Sequence, residues 1–341
     1  MPDTLHFPHA AAPEPGSFTE VAPGLLWLKL DLPFALNHVN VFLVEDDDGW
    51  ALIDTGIANT ATRATWEKLL AGGLGGRRIS RLIVTHYHPD HAGLAGWLAE
   101  RCRLELWMTR TEYLTSQNMR HNPGAIDTPG HRAFYYAHGL DQAAAEAVTV
   151  RGHGYLRMTT DLPGSYHRLV AGSFLHIGGR TFEILTGGGH SPEQAMLLCR
   201  AENLFLPTDQ VLARISPNVS VSAWEPLGDP LGDYLASLAA LREAIPDDVL
   251  VVPAHNLPFE GLHTRIDELT RHHDQRCDEI IAACTATPRS AADILPILFP
   301  RALDAHQTGF AFGEVLAHLN HLTRTGALIT LPGDVRRFAG S

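Results

Sequence analysis

Thr85-His86-Tyr87-His88-Pro89-Asp90-His91 places three imidazoles and one carboxylate within six consecutive residues, just past a short apolar stretch. Imidazole and carboxylate are the side chains that hold borderline first-row cations, and this spacing lets four donors converge from one tight turn. The chemistry on offer is metal binding. One turn supplies only part of a closed site, so further donors are expected at other strand ends facing the same cleft. Three residues stand in such places. His190 lies in Thr186-Gly187-Gly188-Gly189-His190-Ser191-Pro192, where glycines permit close backbone approach. Asp209 follows Leu204-Phe205-Leu206, and His255 follows Val249-Leu250-Val251-Val252-Pro253-Ala254. Taken singly, each reads more readily as a cap or turn residue. Their weight lies in combination.

Short apolar runs divided by turn residues would position these donors. Leu25 to Leu30, Val39 to Val44 and Trp50 to Ile53 read as strands, with Asp46-Asp47-Asp48-Gly49 as a hairpin turn. A helix is expected from Thr60 to Leu70, closed by Gly72-Gly73 and Gly75-Gly76 before a strand at Arg81 to Val84. From 111 to about 173 the pattern becomes irregular, with helical pieces such as Gln142 to Val148, and reads as an insertion. Its aromatics Tyr113, Phe134, Tyr135 and Tyr136 suit either an apolar lid or ordinary core packing. Strands resume at Phe174 to Ile177, Thr181 to Leu185, Ala195 to Cys199, Leu204 to Leu206 and Val249 to Val252. This alternation predicts an α/β fold, sheet layers flanked by helices. Beyond Gly261 come helices at Leu262 to Cys284, Ala291 to Leu298 and Phe310 to Thr325. A hairpin of Ala327 to Leu331 and Val335 to Phe338 turns at Pro332-Gly333-Asp334. Three helices and a hairpin resemble a winged helix. The expected division is a mobile start over 1–16, a catalytic domain over 17–260 and a helical domain over 261–341.

With 341 residues, 45% of them hydrophobic, the chain can bury a full core. A net charge of −12 and only two lysines, Lys29 and Lys68, argue against nucleic-acid partners. Cys102, Cys199, Cys277 and Cys284 form no CxxC pair and read as reduced packing residues. Neither an export signal nor a membrane-length apolar run of about 18 residues is visible, so a cytoplasmic location without a membrane partner is expected. There is also no G-x-S-x-G elbow and no phosphate-cradling glycine loop.

His86, His88, Asp90 and His91, followed in order by His190, Asp209 and His255, resemble the metal-binding set of the metallo-β-lactamase superfamily. Asp54, in Leu52-Ile53-Asp54-Thr55-Gly56, matches its early aspartate motif, and the resemblance runs from about Leu25 to Pro258. Asp209-Gln210-Val211-Leu212, Ile215-Ser216-Pro217-Asn218-Val219-Ser220 and the helical tail are similar to a hydrolase branch with a C-terminal winged-helix appendage. The resemblance implies an αββα sandwich with the site at one edge. It implies that His86, His88 and His190 hold one metal and Asp90, His91 and His255 a second, with Asp209 bridging them. Asp54 would support the ligands from behind. Two departures stand out. Thr208 precedes Asp209 where the superfamily commonly has glycine, and Ala213-Arg214 replaces the Pro-Arg expected of this branch.

His88 stands where redox-active di-iron relatives carry a carboxylate, which favours zinc in both positions, with iron or manganese as alternatives. Two such metals imply a hydrolase in which a bridging hydroxide attacks the substrate, Asp90 taking and returning the proton. A small acyl substrate, a thioester, ester or lactone, is the leading expectation, with His38, Arg214 and Tyr135 as candidate substrate contacts. The alternative is a phosphodiesterase or endoribonuclease of the same fold. A β-lactamase ranks lower, because Asp209 stands where many such enzymes use cysteine. A non-catalytic DNA-binding regulator ranks last, since Phe310 to Thr325 carries only Arg324 as a permanent cation beside His318 and His321. The helical appendage is expected to serve subunit contact in a homo-oligomer or closure of the cleft.

Overall fold

Val39, Val41 and Leu43 point to one side of their strand and Phe42 and Val44 to the other, and all five are buried. Such a strand must lie inside a layered structure with apolar material on both faces. In the computed structural model, which describes residues 4–122, 128–150 and 153–341, it is the third of seven side-by-side strands. These are β1 (Phe18–Ala22), β2 (Leu25–Asp31), β3 (His38–Asp46), β4 (Gly49–Ile53), β5 (Arg78–Ile83), β6 (Leu106–Met108) and β7 (His167–Arg168). Pairing is antiparallel from β1 to β4 and parallel from β4 to β7. A second sheet runs β12-β11-β10-β9-β8, built from β8 (Phe174–Ile177), β9 (Arg180–Gly187), β10 (Gln194–Cys199), β11 (Leu204–Thr208) and β12 (Leu250–Pro253). Only β11 and β12 are parallel there.

The two sheets face each other through one core. Trp27, Phe42, Val44, Ile53 and Ile83 of the first meet Phe182, Ile184, Leu197, Leu206 and Val252 of the second. The outer face of the first sheet, Val39, Val41, Leu43, Leu52 and Leu82, is covered by Trp66 of α1 (Thr60–Lys68) and by Ala95 and Leu98. The last two belong to α3 (Ala95–Cys102), which follows the one-turn α2 (Pro89–Ala92). This is an αββα sandwich.

The outer face of the second sheet, Met196, Leu198, Phe205 and Val251, is covered by α8 (Pro230–Ala244) together with the C-terminal helices. Those are α9 (Leu262–Ala286), α10 (Ala291–Leu298) and α11 (Ala305–Arg324), followed by the hairpin of β13 (Leu328–Leu331) and β14 (Arg337–Gly340). Helical tail and second sheet therefore share one continuous core. The start of the chain, expected to be mobile, is tied down at His6, whose backbone exchanges hydrogen bonds with Glu260.

The stretch read as irregular is mostly helical: α4 (Arg110–His121), α5 (Pro129–Ala137), α6 (Gln142–Val150) and α7 (His153–Met158). Residues 123–127 and 151–152 of that reading lie outside the described residues. Tyr113 and Phe134 are buried in the cores rather than poised over a cleft, and of the four aromatics Tyr136 alone is exposed. Sequence reading overlooked β1, β6, β7 and α8. The strands β6 and β7 span three and two residues, too short for any alternation to register. Helix α8 did carry a signal, Asp229 capping Gly232 with Pro230 in the first turn. All four cysteines are free. No helix among the described residues is long and apolar enough to cross a membrane.

Removing residues 262–341 would take Leu262, Ile266, Leu269, Phe312, Val315 and Leu316 out of this core and bare the apolar side chains they pack against. Each large side chain contributes about 1.5–3 kcal/mol by burial, so the loss is comparable with the whole stability of a domain, about 5–15 kcal/mol. A chain ending at Gly261 is expected to aggregate or to bind a hydrophobic dye without a cooperative melt. A monodisperse, cooperatively melting product would contradict this shared core.

Candidate metal centre

Strand pairing delivers the donors to one edge. β4 and β5 are parallel with Ile53 opposite Ile83, so Asp54 and Thr85 emerge side by side. The Thr85 amide donates to Asp54 Oδ1 at 2.9 Å and its hydroxyl to Oδ2 at 2.8 Å. In the other sheet Thr208 pairs with Pro253, bringing Asp209 and His255 out together. Two backbone bonds clamp the sheets at this edge, from Ala195 N–H to the Thr85 carbonyl (2.9 Å) and from Asn40 N–H to the Ala254 carbonyl (2.7 Å). Pro89 opens α2, which carries Asp90 and His91. His190 arrives by a close approach to α8: Gly189 has φ +99°, and a Cβ on it would lie 2.4 Å from Cβ of Tyr234. Glycine is required there on both counts.

The seven donors meet. His88 Nδ1 lies 3.0 Å from both His86 Nε2 and His190 Nε2. His190 Nε2 is 3.2 Å from Asp209 Oδ2, and His91 Nε2 is 3.5 Å from Asp209 Oδ1. His255 Nε2 stands 3.4 Å from Asp90 Oδ2 and 3.5 Å from Asp209 Oδ2, while His91 Nε2 is 3.7 Å from Asp90 Oδ2. His86, His91, Asp209 and His255 are buried, whereas Asp90, His88 and His190 keep some access to solvent. Asp54 stands behind this group, its Oδ2 accepting from His91 Nδ1–H at 2.8 Å.

Electrostatics divides the site. Burial, together with the neighbouring His91 and His88, drives His86 well below the ordinary histidine range. Burial and His190 push His88 down to about 3. Both present neutral rings with free lone pairs. On the other side burial disfavours the imidazolium, yet the facing carboxylates win: Asp209, Asp90 and Asp54 hold His91 well above its usual value. Asp209 and Asp90 likewise raise His255 to about 10. Reciprocally, burial alone would raise the carboxyls, but His255 and His91 hold Asp209 well below the usual range, and His91 with His255 brings Asp90 down to about 2. Two negative charges are thus concentrated where protons or cations must balance them.

These residues fit a metal. His91 Nε2 and Asp209 Oδ1 are buried without a hydrogen-bond partner, and both face the cluster. His86, His88 and His190 form one group of mutually close donor atoms, His86, His91 and Asp209 a second, and Asp90, His91 and His255 a third. Tetrahedral zinc with Zn–N of about 2.0–2.1 Å places its donors about 3.3 Å apart, close to the 3.0 and 3.2 Å spacings around His88 and His190.

Comparison with known proteins agrees with this geometry. The sequence profile of the metallo-beta-lactamase superfamily matches residues 35–255, and that of the metallo-beta-lactamase-like C-terminal domain matches 277–341. The chain belongs to the metallo-beta-lactamase superfamily. It is 27% identical over 312 residues to the probable metallo-hydrolase YqjP of Bacillus subtilis, covering 88% of this chain and 92% of that protein. A beta-lactamase domain protein from Burkholderia ambifaria superimposes with a TM-score of 0.91 at 41% identity, covering 99% of this chain and 98% of that one. A metallo-beta-lactamase family protein from Thermus thermophilus does so with 0.80 at 27% identity, covering 94% and 100%. The protein is a metallo-hydrolase of this superfamily with a His/Asp cluster suited to metal.

The three candidate substrate contacts are placed differently from the donors. Arg214 is exposed and its guanidinium lies 5.3 Å over the ring of Phe7. Tyr135 packs with Phe134 and with Phe312 of α11 against the C-terminal core. His38 borders the site, but its ring is engaged: Nε2 accepts from Asn256 N–H at 3.0 Å and Nδ1 bonds Asn37 Oδ1 at 2.8 Å. Burial and the nearby His255 lower it to about 4, so it is neutral. Its carbonyl does the positioning, accepting from His255 Nδ1–H at 2.7 Å. Sequence reading also missed Asn218, whose carbonyl accepts from His190 Nδ1–H at 2.8 Å. Backbone acceptors of this kind have no residue-type signature.

Thr208, the departure from glycine, takes φ +53°, a region that costs a β-branched residue about 1–2 kcal/mol. Its hydroxyl donates to Gln194 Oε1 at 2.9 Å, which offsets part of that strain. Thr208→Gly loses this bond but not the left-handed turn, whereas Thr208→Ala loses the bond and keeps the strain. Urea denaturation is expected to show the glycine variant more stable than the alanine variant by about 1 kcal/mol. An alanine variant of equal or greater stability would contradict the strained turn.

Proposed function

We propose that the protein is a binuclear zinc hydrolase acting on a small acyl substrate: a thioester, ester or lactone. The observation that carries this reading is the pair of three-donor groups, His86, His88, His190 and Asp90, His91, His255, with Asp209 between them, its Oδ2 near both His190 and His255 and its Oδ1 near His91. In this reading each triad holds one cation and Asp209 reaches the two. A bound pair of zinc ions lowers the pKa of water towards neutrality and polarises the substrate's carbonyl. Five imidazoles against two carboxylates favour zinc over harder cations.

The protein's own residues supply orientation and proton handling. Asp54, Thr85, Asn218 and His38 hold ring nitrogens from behind, so each Nε2 faces the cluster. Asp90 is the more exposed carboxylate of the two, at 20% of its side chain, and in this reading it accepts a proton from the attacking water and returns it to the leaving group while remaining a ligand.

Acyl chemistry is favoured over phosphodiester cleavage by charge. A polyanion would meet a chain of net charge −12. The DNA-binding reading is opposed by the burial of Phe312, Val315, Leu316, His318, Leu319 and Leu322, which commits α11 to the core instead of a groove.

The test is metal analysis of purified protein coupled to a panel of thioester, lactone, phosphodiester and lactam substrates. Two zinc equivalents with acyl turnover are expected. Phosphodiester turnover without acyl turnover would reverse the substrate assignment. Asp209→Ala is expected to lower metal content and abolish turnover, and full retention of both would remove it from the site.

A further inference from the structure

Glu112 is a fully buried carboxylate that is not one of the seven donors. It lies in the first turn of α4, outside both sheets. Its two oxygens go to two different ligand-bearing segments. Oε2 accepts from Tyr87 N–H at 2.9 Å, the residue between His86 and His88. Oε1 accepts from Glu193 N–H at 2.7 Å, three residues beyond His190. The tie is doubled from the other side. Glu193 Oε2 accepts from Thr111 N–H at 2.8 Å, and Thr109 Oγ1 donates to the Glu193 carbonyl at 2.8 Å.

We infer that Glu112 is a positioning residue for the metal centre, fixing the separation of the His86–His91 turn from the His190 loop and hence the 3.0 Å spacing of His88 Nδ1 and His190 Nε2. This rests on the reading of those histidines as metal ligands. The residue type follows from the geometry. Both partners are N–H donors, so both oxygens must accept, which an ionised carboxylate does and an amide cannot. Burial raises Glu112 to about 6, leaving it ionised at neutral pH. A carboxylate has little reason to be buried against two backbone amides unless the position of those amides matters. The segments it joins belong to different sheets, β5 on one side and β9 with β10 on the other. Strand pairing within either sheet does not set their relative position; the Ala195–Thr85 backbone bond joins them at one point and Glu112 at two more.

Glutamine at this position would turn an N–H₂ group towards one of the two amides, and aspartate would be too short to span both. The experiment compares full-length wild type, Glu112→Gln, Glu112→Asp and a control, Tyr113→Phe. The control removes the two partly buried bonds of Tyr113 Oη in the same turn of α4, donated to the Pro163 carbonyl (2.8 Å) and accepted from Gln117 Nε2 (2.8 Å), without touching either ligand segment. Zinc affinity is measured by chelator competition, and the geometry is read from the visible spectrum of the cobalt-loaded protein. Both Glu112 variants are expected to bind zinc about tenfold to a hundredfold more weakly, with an altered cobalt spectrum. Tyr113→Phe should melt earlier but keep affinity and spectrum. Glu112 variants with wild-type affinity and spectrum would overturn the proposal. A wild type that binds no zinc would instead sink the underlying metal reading. Should the Glu112 variants fail to fold, hydrogen exchange of the wild type decides. The Tyr87 and Glu193 amides are expected to be protected before metal is added, and free exchange at either would overturn the inference.

Discussion

Five imidazoles and two carboxylates converge on one small volume when the rings are held from their far sides. Four rings meet that condition through Nδ1: His86 by the Thr85 hydroxyl, His91 by Asp54, His190 by the Asn218 carbonyl and His255 by the His38 carbonyl. An acceptor at Nδ1 selects the tautomer whose Nε2 lone pair is free, so the anchors decide the chemistry of the cluster as well as its shape. His88 alone turns Nδ1 inward. Every anchor sits at a strand end or in the loop that follows one. The sandwich serves as a device for bringing those ends to one edge.

The C-terminal helices take part in this arrangement. Arg265 of α9 donates to the Leu212 and Ile215 carbonyls at 2.6 and 2.9 Å, pinning the loop that follows Asp209. Further along that loop Val221 N–H bonds the Gly313 carbonyl of α11 at 3.1 Å, and a Cβ at Gly313 would meet Ser220 at 2.8 Å. Ser220 Oγ donates to Asn218 Oδ1, one residue-length from the carbonyl that orients His190. The helical tail shares its core with the second sheet and also braces the backbone behind a donor. Subunit contact is not needed to account for its presence.

How much of this was legible beforehand depended on where the information resides. The seven donors were readable because their side-chain types are unusual in such density and stand directly after apolar runs. Strands were readable where both faces are buried, as in β3 and β10, since a short continuous apolar run marks them there. Anchors supplied by backbone carbonyls, those of His38 and Asn218, leave no mark in residue type. Glu112 carries no mark of its role, since nothing in its neighbours along the chain reports burial. Tyr113, Phe134 and Tyr135 were ambiguous for the same reason, because an aromatic in a helix suits core and lid equally until the opposing surface is known. Arg214 was a candidate by position alone, and its partner Phe7 comes from the far end of the chain.

In the proposed function this cluster holds two metal ions on defined donors. Crystals of the zinc-loaded protein, with anomalous data collected on both sides of the zinc absorption edge, test it most directly. Two peaks are expected, one among His86, His88 and His190 and one among Asp90, His91 and His255, with Asp209 between them. A zinc-loaded crystal with no anomalous peak within bonding distance of these residues would contradict it.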